Sequence, residues 1–138
     1  MTERDIVMSA RFEPVFTVRE YHDWPRRGIA NFRGTPHSFA CIFDEQQDEY
    51  SNLYRLKPID ANTLQLALEQ WDIWLRWQAA FQRGEVGLES HPALPAERNR
   101  YEQLKRVLAP ALEVPEDAAL KAIGKFQSDM EVSWQPSA

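Results

Sequence analysis

After Pro14, apolar and polar positions alternate through VFTVREY, with Val15, Thr17, Arg19 and Tyr21 on one face and Phe16, Val18 and Glu20 on the other. A period of two in a run rich in β-branched and aromatic residues predicts a strand. HDWPRRG follows, punctuated by Pro25 and Gly28, and predicts a turn or short loop. A second strand is expected over residues 28–33, closed by Gly34, Thr35 and Pro36. A third is expected over residues 37–44, with Phe39, Cys41 and Phe43 on one face and Ser38, Ala40 and Ile42 on the other. The acidic stretch DEQQDEYSN predicts a hairpin tip, and residues 53–58 a fourth strand ended by Pro58. Connections this short favour an antiparallel meander.

From Asp60 to about Arg83 the period changes to that of a helix. Asp60 is placed as the N-cap and Gly84 as the stop, giving a helix about 36 Å long at 1.5 Å per residue. On the helical wheel Leu64, Ala67, Leu68, Trp71, Trp74, Leu75 and Gln78 form one face. Leu66, Ile73, Trp77, Ala80 and Phe81 form a second on roughly the opposite side, which leaves only a narrow polar stripe. Exposing the second face would forfeit on the order of 2 kcal/mol per large side chain. Its expected cover is the protein's own second helix, then a partner, then a ligand in a tryptophan-lined pocket. That second helix is expected from Pro95, with Tyr101, Leu104, Val107 and Leu108 as its apolar stripe and with Pro110 and Pro115 breaking it.

Residues 117–128 fit either a helix or a strand, and the strand is preferred. The expected fold is α+β: an antiparallel sheet of four to five strands, with the long aromatic-rich helix and the second amphipathic helix packed on one face. Residues 13–128 would form one domain between a loose arm (1–12) and a loose tail (129–138). A chain of 138 residues is long enough to bury a core without staples.

A hydrophobic fraction of 43% with 27% charged residues is ordinary for a globular protein, whereas 12% aromatic residues is high and concentrates in the strands and the first helix. A net charge of -5 argues against general nucleic-acid binding, which needs a basic face. Cys41 alone excludes an internal disulfide framework. No apolar run approaches the roughly 20 residues of a membrane span, and MTERDIVMSARF has no signal-peptide core, so a cytoplasmic setting is expected.

The most site-like segment is Asp23–Gly28, where Trp24, Arg26 and Arg27 crowd a turn next to His22. A His–Asp pair can serve as a base and its orienter, and paired arginines can grip an anion. Adjacent residues on an extended chain point apart, however, so a structural role is favoured for His22 and Asp23. Along a strand His37 and Cys41 lie about 13 Å apart, too far for a thiolate–imidazole pair. Cys41 is therefore read as a small core residue. The spacing of His22, His37 and His91 fits no metal-ligand pattern, and no cofactor-binding loop is present.

The stretch VREYHDWPRRGIANFRGTPHSFACIFDE, continued by LKPIDANTLQLALEQWDIW, carries a D-x-P-R-x-G turn, a G-x-P-H turn and a W-x-I-W helix. In these it resembles a group of small bacterial proteins of unassigned function, over roughly Phe16 to Trp77. The resemblance implies a bacterial, intracellular α+β protein and brings no activity, cofactor or catalytic residue. This chain departs from the pattern at His22 and Trp24, which counts against His22 as an essential base. The expected function is a non-enzymatic module that binds another protein or itself, with Trp24, Arg26, Arg27, His37, Ile73, Trp77 and Phe81 as candidate contact residues. The alternative is a small-ligand-binding protein or enzyme using the Asp23–Gly28 or Gly34–His37 turn.

Overall fold

A computed structural model of the chain describes residues 11–128 and 130–136. Six antiparallel strands follow one another around a closed barrel: β1 (Glu13–His22), β2 (Trp24–Phe32), β3 (Thr35–Asp44), β4 (Glu49–Pro58), β5 (Lys121–Gln127) and β6 (Glu131–Pro136). Between β4 and β5 in sequence come α1 (Ala61–Gln82), two 3-10 turns (Leu88–Ser90 and Pro95–Glu97) and α2 (Arg98–Leu112). The chain divides into two compact units, the barrel up to Pro58 and from Val114 onward, and the helical segment Ile59–Glu113.

The open sheet of four to five strands with helices on one face is thus replaced by a closed barrel. What closes it is the segment expected as a loose tail. β6 pairs along its length with β5 and, through Glu13↔Val132 and Pro14↔Glu131, with β1. The amide of Val15 extends this seam by donating to the Met130 carbonyl at 2.8 Å. Among the described residues closure leaves no edge strand exposed. Of the expected N-terminal arm, residues 1–10 lie outside the described residues, as do Asp129, Ser137 and Ala138 of the expected tail. The preferred strand over residues 117–128 is present as β5.

Small and large residues alternate around the interior. Phe39, Tyr54, Phe126 and Trp134 meet one another edge-on or tilted, with ring centroids 5.4–6.0 Å apart. Ala30, Ala122, Val15, Val132 and Leu56 fill the gaps between them. Gly28, expected in a turn, sits inside β2, where a Cβ would lie 2.1 Å from the Thr17 carbonyl oxygen and 2.9 Å from the Phe39 ring. Gly124 makes the same room for Trp134, whose ring would lie 2.7 Å from an added Cβ. These glycines serve close approach within strands, not chain reversal.

The strict alternation expected in β1 fails at a bulge. Ala30 pairs with Val15 and Ile29 with Thr17, which leaves Phe16 unpaired and brings both Val15 and Val18 to the core. The β3–β4 ladder is also irregular: Cys41 pairs with Tyr54 and Phe43 with Tyr50, so the extra residues lie in β4, and Phe43, near the end of β3, is exposed. Pro25 is accommodated in β2 because the ladder to β3 begins only at Arg27.

In the helical unit the Asp60 carboxylate caps α1 by accepting from the Thr63 amide at 2.7 Å, as its position before the helix predicts. Gly84 follows the helix with a left-handed φ of 76°. α2 starts three residues later than expected, after the turn at Pro95, and continues through Pro110 to Leu112. Pro110 costs the last turn the bond an amide there would make to the Arg106 carbonyl, and buried Leu112 holds that turn in place. Leu104, Leu108 and Leu112 are the buried stripe, whereas Val107 is exposed.

Candidate functional site: the aromatic end of the barrel

β2 joins the two sequence-marked turns, so Asp23 and Gly34 lie at opposite ends of that strand. The Asp23 end also carries the β3–β4 hairpin, because Phe43 pairs with Tyr50 and Asp44 with Glu49. Asp23 itself takes a left-handed φ of 66° between paired His22 and Trp24, making a tight reversal.

Arg26 organises this end. Its position alternates with Gly28 and Ala30 on β2, and its side chain is 3% exposed. Nε donates to the His22 carbonyl at 2.9 Å, and Nη1 reaches the Ser51 carbonyl at 3.3 Å and the Cys41 sulfur at 3.4 Å. The guanidinium lies 4.5 Å from the Tyr50 ring centroid and 5.0 Å from that of Trp24. Among the described residues it has no carboxylate partner; π faces and carbonyl oxygens compensate its charge instead. The result is a clamp from the end of β1 to β4 that fixes the rings around it.

Three large rings at this end are exposed to solvent. Tyr21 is 68%, Trp24 48% and Phe43 44% exposed. Phe43 meets Tyr50 edge-on at 5.2 Å, and His22 meets Tyr50 at 5.8 Å. The Tyr50 hydroxyl donates to Glu20 at 3.2 Å, and Glu20 also faces Arg27 at 3.6 Å. Around them stand the carboxylates of Asp23, Asp44, Glu45, Asp48 and Glu49. Asp44 accepts from the amides of Gln46 and Gln47 and shapes the hairpin.

Beneath the clamp the Tyr54 hydroxyl donates to the Pro25 carbonyl at 2.7 Å, and the Cys41 thiol donates to the Ser51 carbonyl at 3.0 Å. Burial pushes the phenol of Tyr54 well above its ordinary range. It also raises the Cys41 thiol, with Arg26 opposing the shift in part. A thiol held protonated is a poor nucleophile.

Of the expected contact residues, Trp24, Arg26 and Arg27 fall at this end. His37 lies near the far end of the barrel, buried, with its Nδ1 proton on the Thr35 carbonyl (2.7 Å) and its ring against Phe32. In the helical unit Ile73 and Trp77 are buried. Trp77 donates from Nε1 to the Ser90 hydroxyl at 2.9 Å and meets the His91 ring edge-on with centroids 4.6 Å apart. The connector between the helices therefore covers Trp77, and Phe81 stacks on it while remaining 38% exposed. Trp71 and Trp74 stack on each other.

Tyr21, Phe43 and Tyr50 belong to the cluster without having been singled out in the sequence. Phe43 reads as a core position, but it stands at the end of β3 beside the hairpin and is exposed. Arg26 reads as a turn residue until β2 is seen to begin at Trp24. Among the described residues no three or more histidines, cysteines or carboxylates converge in a way that could hold a metal, and no helix is long and apolar enough to cross a membrane.

The fold defines the class: a closed, six-stranded antiparallel barrel with a helical segment between its fourth and fifth strands. Family models, curated proteins and solved structures yield no match to this chain.

Proposed function

We propose that this protein is a recognition module that binds a basic segment of another protein at the aromatic end of the barrel. The observation that carries the reading is the exposure of Tyr21, Trp24 and Phe43 at one barrel end, with Trp24 packed on a buried arginine and Phe43 packed on Tyr50, which the same arginine faces. Aromatic side chains and arginine dominate binding energy where their geometry is fixed beforehand, because little conformational freedom is then lost on association. The surrounding carboxylates select a partner of opposite charge and speed its approach. The same charges oppose a second copy of this end, so a different protein fits better than a homodimer.

The buried state of Ile73 and Trp77 moves this reading away from the face of α1 and onto the barrel. A small-ligand site or enzyme at the two turns has less support, since those turns lie at opposite ends of β2 and Arg26 is already engaged by its own neighbours. The test is quantitative affinity capture from cells of the source organism, comparing wild type with Trp24→Ala/Phe43→Ala. The expected result is a protein retained by wild type, lost by about tenfold or more in the variant, and released by moderate salt. Equal retention by a folded double variant would overturn the proposal.

A further inference from the structure

The opposite end of the barrel carries a cleft of about 160 Å³ between the β2–β3 turn, the start of β5 and the end of β6. Phe32 and Trp134 meet edge-on at 6.3 Å within it, and Leu120 and Pro136 complete an apolar lining. Two cations stand at its walls. The Arg33 guanidinium lies 5.1 Å from the centroid of the Phe32 ring, and Lys121 comes from the start of β5. Among the described residues neither is in an ion pair. The one carboxylate in the lining, Glu13, is held against the β2–β3 turn, accepting from the amides of Arg33 at 3.1 Å and Gly34 at 2.7 Å, and the two cations outnumber it. Trp134 is fixed by its Nε1 bond to the Asn31 carbonyl at 2.8 Å and by the space at Gly124.

We propose that this cleft binds a small monocyclic aromatic carboxylate. A volume near 150 Å³ accommodates a benzene-sized ring. The aromatic and aliphatic lining suits that ring, and Arg33 and Lys121 suit a carboxylate at its edge. The cleft is open to solvent, so the expected affinity is weak, with Kd on the order of 0.1–1 mM. This site is separate from the aromatic end and does not depend on the protein-binding reading.

The experiment is a titration of the full chain with sodium benzoate, followed by two-dimensional amide and indole NMR. The expected result is saturable shifts of the Trp134 indole N–H and of the Arg33 and Gly34 amides. Benzyl alcohol, which lacks the charge, should bind several-fold more weakly. The paired variant Arg33→Asn/Lys121→Gln should lose about fivefold or more in affinity while keeping its dispersed spectrum, because asparagine tolerates the φ of 54° at position 33. Non-saturating shifts, shifts spread over the other tryptophan indoles, or unchanged affinity in the folded variant would each overturn the proposal.

Discussion

Arg26 is a cation taken out of water without a carboxylate to meet it. Burying a charge is costly unless each donor is satisfied, and here two carbonyl oxygens, a sulfur and two aromatic faces share the task. Truncation would take a donor from the His22 and Ser51 carbonyls, leaving the Cys41 thiol on the latter, and free the rings of Trp24 and Tyr50. Arg26→Ala should therefore lower stability by about 2–3 kcal/mol in urea denaturation. The protonated groups under the clamp give a second consequence. Cys41 and Tyr54 both hold their protons more tightly in the folded chain than in the unfolded one. Below the unfolded pKa values, about 8.5 for a thiol and 10 for a phenol, that contribution is fully present. As pH rises beyond them the unfolded chain loses protons that the folded chain keeps, so stability falls. Denaturant midpoints should be flat near neutrality and decline above about pH 9, and Cys41→Ala/Tyr54→Phe should flatten the decline.

At the level of elements, the barrel depends on two glycines that are not in turns. Gly28→Ala would drive a methyl group against the Thr17 carbonyl oxygen, which belongs to the backbone and cannot swing aside. The expected loss is about 3 kcal/mol or more, read from thermal or urea unfolding. Gly28 also shows why part of the fold was hidden. A glycine directly after an arginine pair and three residues after a proline resembles turn chemistry, and only the facing strand reveals that it makes room for Phe39. The first four strands and both helices were legible because their periods are sustained and Asp60 and Gly84 mark α1. β6 was not, because six residues at the end of the chain carry too little pattern to distinguish a strand from a tail. Without β6 the sheet looks open. The candidate site was legible in Trp24, Arg26 and Arg27, which turn chemistry flagged, and illegible in Tyr21, Phe43 and Tyr50. Their placement depends on which strand ends meet at one mouth of the barrel, which local sequence does not encode.

At the scale of the whole molecule, charge and aromatic surface occur together at one barrel end. Like charges on that end oppose its meeting a second copy. Sedimentation equilibrium at physiological salt should accordingly give the mass of a single chain, and a stable dimer would require another surface. The central claim is that the working surface is the barrel's aromatic end and not the face of α1. Site-specific photo-crosslinking in cells tests it most directly, with a benzophenone side chain placed in turn at Phe43 and at Leu75, an exposed apolar position on α1. The account predicts a discrete protein adduct from position 43 that disappears when Trp24 is replaced by alanine, and none from position 75. An adduct from position 75 alone, or an adduct from position 43 unaffected by Trp24→Ala, would contradict it.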